Sequence, residues 1–163
     1  VAEPTPSKKP LDYLAIAIAT GGGSGFSPFA PGTAGTVVAV PIYWAFWHWQ
    51  LPAWEQLAIM VVLTLVGMAC AERVGRRFFH ASDAGQIVID EVAGYLVTVA
   101  LVPFSWKAAV LGFVLFRLFD ITKPWPASYF DSKVHNGFGV TMDDLCAGVY
   151  GRIVLGLVLH FWP

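Results

Sequence analysis

Gln56-Leu57-Ala58-Ile59-Met60-Val61-Val62-Leu63-Thr64-Leu65-Val66-Gly67-Met68-Ala69-Cys70-Ala71 runs without a single charge, then stops at Glu72-Arg73-Val74-Gly75-Arg76-Arg77. An apolar helix halted by a cluster of arginines is the pattern of a segment that ends at a membrane surface. The rest of the chain has the same character. It is 56% hydrophobic and 13% charged over 163 residues, with a mean hydropathy of +0.63. Soluble domains run nearer a quarter charged, so this balance belongs to a chain solvated by lipid.

Four further apolar segments flank the first: about 33–49, 92–102, 108–119 and 145–161. A full span takes ~20 apolar residues for a ~30 Å hydrocarbon core. The segments at 92–102 and 108–119 fall short, so they are tilted, partly embedded, or a hairpin dipping into the bilayer. Barrel-like alternation is absent, and lipid-exposed backbone must be internally paired. The expected fold is therefore all-α, a polytopic integral membrane bundle of about five apolar helices. One domain covers 1–163, with 1–10 a flexible N-terminal tail. Leu11 to Thr20 is apolar but runs into glycines and more apolar sequence, not a cleavage site and a polar domain, so it is not read as an export signal.

Orientation follows from the basic residues. With the N-terminus in the cytoplasm and five crossings, Lys8, Lys9, Arg73, Arg76, Arg77, Lys123 and Lys133 fall inside, with Arg117 near that face. Lys107 lies outside. This is the positive-inside asymmetry. The same placement gathers Asp83, Asp90, Glu91, Asp120, Asp131, Asp143 and Asp144 on the inner side, in or beside the loops at 72–91 and 120–144. Clustered carboxylates repel unless a cation neutralises them, and their oxygens suit a hard ion such as Mg²⁺. A juxtamembrane charge network explains any single acid equally well; the whole set is better explained as a cation site. Arg117 and Lys123 flank Asp120 and can face a phosphate or these acids.

Gly21-Gly22-Gly23-Ser24-Gly25-Phe26-Ser27-Pro28, followed by Ala30-Pro31-Gly32-Thr33, leads into an apolar helix whose free N–H groups would favour an anion. It lacks the Gly-Lys-Ser/Thr of a P-loop, and Thr33 or Thr36 also serves as a helix cap. Cys146 and Arg152 have the spacing of a thiolate phosphatase, but Asp143 and Asp144 oppose a thiolate and Ile153-Val154-Leu155 continues a helix. His80 and His135 stay outside the core assignment. Trp44, Trp47, Trp49 and Trp125 read as interface anchors. A net charge of −1 offers no basic face to nucleic acid, and two cysteines in apolar stretches make no disulfide framework.

Four blocks carry a family resemblance: Gly23-Ser24-Gly25-Phe26-Ser27-Pro28 with Ala30-Pro31-Gly32-Thr33; Ile89-Asp90-Glu91-Val92-Ala93-Gly94; Phe116-Arg117-Leu118-Phe119-Asp120 with Lys123-Pro124-Trp125-Pro126; and Asp143-Asp144-Leu145-Cys146-Ala147-Gly148. In that order they resemble the phosphatidylglycerophosphatase A family. The resemblance implies a Mg²⁺-dependent lipid phosphatase of the bacterial cytoplasmic (inner) membrane. It would be multi-pass, with its site at the cytoplasmic face, and would convert phosphatidylglycerophosphate to phosphatidylglycerol and phosphate. The family's acids carry over as Asp90, Glu91, Asp120, Asp131, Asp143 and Asp144, and its lysine as Lys123.

The residue chemistry assigns the metal to Asp90, Glu91, Asp120 and Asp144, with Asp131 and Asp143 in a second tier. Lys123 and Arg117 hold the phosphate, and Ser24 and Thr33 donate hydrogen bonds. The expected catalytic set is Asp90, Glu91, Asp120, Lys123 and Asp144, and the expected partner is a phospholipid in the bilayer. A CDP-alcohol phosphotransferase also uses acids and Mg²⁺, but its D-G-x2-A-R…G-x3-D-x3-D pattern is missing. A metal-ion transporter would place acids midway through its spans, and a membrane scaffold would need no acids in array.

Overall fold

A computed structural model describes residues 9–81, 84–134 and 136–162. They form α1 (Pro10–Ala19), α2 (Pro31–His48), α3 (Ala53–Val74), α4 (Ile89–Thr98), α5 (Trp106–Thr122), α6 (Ala127–Lys133) and α7 (Gly137–Phe161). No strand occurs among the described residues. Prolines open α1 and α2, where a missing N–H costs nothing. Ser105 caps α5 by accepting from Ala108 N at 3.0 Å, and Asn136 caps α7 by accepting from Gly139 N at 3.0 Å.

The five apolar segments become α2, α3, α4, α5 and α7, but the expectation of five spans needs correction. Among the described residues, two helices are long and apolar enough to cross a membrane: α3 with its wider final turns, Ala53–Phe79, and α7, Gly137–Phe161. The segment expected at 92–102 stops as a helix at Thr98, because Leu101 turns into the left-handed region at φ 58° and the chain runs on to Pro103. Helix α1 starts at Pro10, the last residue of the expected tail, and residues 1–8 lie outside the described residues.

Short α4 is the centre of the molecule. Eight of its ten residues are buried, and α2, α3, α5 and α7 all pack on it. Its approach to α7 is made by backbone. A Cβ on Gly148 would stand 2.4 Å from Gly94 O, and one on Gly151 would stand 2.8 Å from Thr98 Oγ1. Glycine there lets the two helix backbones come into direct contact. Thr98 Oγ1 is within 3.1 Å of Gly94 O and 3.2 Å of Gly148 O, tying the two helices together.

Along the chain α2, α4 and α7 run one way while α3 and α5 return. The end of α2, the starts of α3 and α5, and the end of α7 therefore share one end of the bundle. That end carries exposed Trp47, Trp49, Trp54, Trp106 and Trp162. Polar helix termini gather at the other, where α1 is clamped to α3. The buried Asp12 carboxylate accepts from Lys9 N at 2.8 Å and from Arg73 Nη2 at 2.7 Å, with Arg77 Nη1 at 3.6 Å.

Candidate active site

Asp90 and Glu91 occupy the first turn of α4, Asp120 the last turn of α5, Asp131 lies on α6, and Asp143 and Asp144 enter from the second turn of α7. All six, with Lys123, line one cleft of about 130 Å³, whose remaining wall includes Gly85, Ile87, Val134 and Val140. Helices packed around α4 thus converge acids more than fifty residues apart in sequence.

The cleft divides five of the six acids into two groups, with Asp120 apart from both. Oxygens of Asp90, Glu91 and Asp144 all lie within 4.8 Å of one another. Asp90 and Asp144 are buried, and Glu91 Oε2 is enclosed with no hydrogen-bond partner. Three hard oxygen donors at that spacing, one with an orphaned lone pair, fit a divalent cation. Asp131 and Asp143 are engaged differently. The Lys123 ammonium sits between them, paired with Asp131 and 2.6 Å from Asp143 Oδ2. Burial alone would lower the Lys123 pKa, but its hydrogen bonds to these carboxylates override that and hold it above its ordinary value. Asp143 also accepts from Asp144 N at 2.9 Å, and Asp90 from Glu91 N at 3.1 Å, fixing both acidic pairs from their own backbone.

Asp120 pairs with Arg117, Nη1 to Oδ2 at 2.6 Å. The glycine-rich opening meets the site at one point that sequence reading missed. A Cβ on Gly32 would lie 2.2 Å from Glu91 Oε1 and 3.1 Å from Arg117 Nη1, so the start of α2 presses bare backbone against both. No spacing signals this approach, because the partners come from α4 and α5. Thr33, beside it, is not among the cleft residues, nor is Ser24, whose hydroxyl donates to Thr20 O at 3.3 Å. Glu72, read only as part of the basic boundary, accepts from Gly137 N at 2.6 Å and so anchors the start of α7.

Exposed His80 lies outside the cleft lining, while Asp83 and His135 lie outside the described residues. Cys146 and Arg152 belong to one continuous helix, and Arg152 Nε donates to Ala100 O at 2.8 Å, so no phosphate cradle forms between them.

Comparison with known proteins places the chain among its relatives. The family profile described as Phosphatidylglycerophosphatase A matches residues 17–159. The chain is 38% identical over 149 residues to a protein of Escherichia coli named phosphatidylglycerophosphatase A, covering 90% of this chain and 84% of that one. A Haemophilus influenzae protein of the same name is 33% identical, with 99% of each covered. A Bacteroides thetaiotaomicron protein named putative phosphatidylinositol-3-phosphatase is 38% identical, over 92% of this chain and 96% of that one. No solved structure gives a significant match. The profile match takes in all seven acids and bases of the cleft, and the chain belongs to the phosphatidylglycerophosphatase A family.

Proposed function

We propose that this protein hydrolyses the terminal phosphate of phosphatidylglycerophosphate, with Mg²⁺ held by Asp90, Glu91 and Asp144. The observation that carries the reading is the convergence of those three carboxylates beside a lysine in a single cleft. When bound, the ion neutralises the acids and polarises a phosphoryl oxygen. The remaining work falls to the chain. Lys123, kept protonated and oriented by Asp131 and Asp143, supplies a fixed positive charge for the phosphoryl oxygens. Arg117 lies at the edge of the same group and is the second candidate for that contact. Asp120 reaches the cleft but stands outside the trio, so we assign it the proton of the attacking water. Ser24 and Thr33, which do not line the cleft, are given no part in the reaction.

We further place the protein in the inner membrane, multi-pass, with the cleft at the cytoplasmic face. In support, Asp120 lies about 21 Å along α5 from Trp106, and Asp144 about 26 Å along α7 from Phe161, at ~1.5 Å per residue. Those lengths approach the ~30 Å hydrocarbon core, with tryptophans at one limit and acids at the other.

The test is phosphate release by detergent-purified protein from phosphatidylglycerophosphate and, separately, from phosphatidylinositol 3-phosphate, the headgroup in the name of the Bacteroides relative. Each is run with Mg²⁺ and with EDTA. Mg²⁺-dependent release from the first lipid supports the proposal. Preference for the second would move the substrate to a phosphoinositide. Release from neither, by folded protein, would reject the lipid phosphatase.

A further inference from the structure

A second cavity, of about 590 Å³, lies between α1, α2, α3 and α4. Val38 and Ile42 of α2, Val62 and Val66 of α3, and Ile89 and Val92 of α4 contribute to its lining, and no side chain in the lining is polar. Its origin is geometric. Helices α2 and α3 meet in the turn at 49–52, held where Gln56 Nε2 donates to Leu51 O at 2.7 Å. From there both lean on α4, while α1 covers only the last part of α3, through Asp12–Arg73 and the packing of Ala15 and Ala19 around Val74. A groove is left between α2 and α3. Val62 and Val66 are exposed along it, so it opens sideways. Gly21 and Gly22, at φ +55° and +69°, form its rim, and no side chain rises there.

We propose that this groove takes one acyl chain of the phospholipid whose phosphate enters the carboxylate cleft; the inference rests on the lipid-phosphatase reading above. The two spaces share the first turn of α4. Ile89 and Val92, three residues apart, face the groove, while Asp90 and Glu91 between them face the cleft. A chain seated between α2 and α3 therefore brings its headgroup to the helix turn that carries the acids. The headgroup then has one helix width to cross, ~10 Å, and a phosphoglycerol spacer of several ~1.5 Å bonds supplies that reach. The groove falls within the ~300–1,000 Å³ of small-molecule sites. From Val66 to Ala58 it follows α3 for about 12 Å, enough for part of one chain, leaving the other in the bilayer.

Moving an acyl chain from lipid to an aliphatic groove gains little, because lipid tails are as apolar as the side chains they meet. The groove acts by setting the height and direction of the phosphate, which is an effect on kcat/KM through orientation. The test compares dipalmitoyl with dihexanoyl phosphatidylglycerophosphate in mixed micelles. In Val62→Trp, which fills the middle of the groove, the long-to-short ratio of kcat/KM is expected to fall about tenfold or more. Ala58→Trp, at the deep end, should lower the ratio less, and Val61→Trp, on another face of α3, should keep it. An unaltered ratio in folded Val62→Trp overturns the proposal.

A second readout does not need turnover. A photoreactive group at the acyl terminus of the substrate should cross-link to α2 or α3, and unlabelled substrate should suppress this better than phosphatidylethanolamine does. Equal suppression by both lipids would mean that the groove holds bulk lipid and would reject the inference. Wild-type protein that releases no phosphate from either substrate would instead defeat the underlying lipid-phosphatase reading, with the cross-link still deciding the groove.

Discussion

Lys123 adopts a backbone conformation that L-residues seldom take, φ 42° and ψ 60°, directly after the last turn of α5. The conformation ends the helix and turns the ammonium back between Asp131 and Asp143. It costs on the order of 1 kcal/mol relative to glycine. Lys123→Gly and Lys123→Ala should therefore both lose turnover, while Lys123→Gly is the more stable of the two by about 1 kcal/mol in denaturant or thermal unfolding. Equal stability would show that the strain is relieved elsewhere. The division of the acids gives a second prediction at this scale. Asp90→Asn removes a ligand of the trio and should raise the Mg²⁺ concentration for half-activation, with turnover down about 100-fold. Asp120→Asn should lower kcat about 100-fold or more with that concentration little altered. Identical Mg²⁺ profiles in the two variants would remove the distinction between ion-holding and proton-holding acids. The acids themselves could be picked out in the sequence because they recur at the ends of apolar segments. Their grouping could not, since Lys123 finds partners eight and twenty residues away only once α6 and α7 fold back.

At the scale of elements, α1 depends on one carboxylate. The backbone N–H of Lys9, then the Arg73 and Arg77 guanidiniums, hold Asp12 below the usual carboxylate range. A depressed folded value means that this contribution is complete above the unfolded pKa of ~3.9 and is lost as pH falls through the folded value. Asp12→Asn should accordingly melt below wild type at pH 7, and the gap should close as pH drops below about 4. A gap that is constant with pH would mean that Asp12 acts by shape and not by charge. Sequence reading marked Arg73 as a stop for an apolar run without finding its partner sixty-one residues earlier. It also took 92–102 as a continuous segment. Apolar composition persists through Val102, so only the left-handed turn at Leu101 reveals that α4 ends at Thr98. After Glu91 the segment carries no charge as far as Val102, so its composition does not mark where the helix stops.

At the scale of the molecule, the basic residues of the α3 terminus and the tryptophans of the opposite end give the bundle a direction. With Cys70 and Cys146 replaced, a cysteine at Ser132 on exposed α6 should react with an impermeant maleimide only after the inner membrane is opened. A cysteine at Ala53 should react in intact spheroplasts. The reverse pattern would turn the protein over and put the cleft outside. The five apolar segments and the single acidic end were visible from the order of residues alone, because hydropathy and charge set them. The groove, the Gly32 contact and the Lys123 clamp are products of three or more helices meeting, and no local pattern encodes them. The spacing between the ring of tryptophans and the carboxylates has one more consequence. It is a fixed ruler of about 21–26 Å, somewhat shorter than an average hydrocarbon core. In the placement proposed above, a thicker bilayer would draw the cleft below the headgroup layer and a thinner one would lift it into reach, so that turnover would report membrane thickness as well as substrate supply.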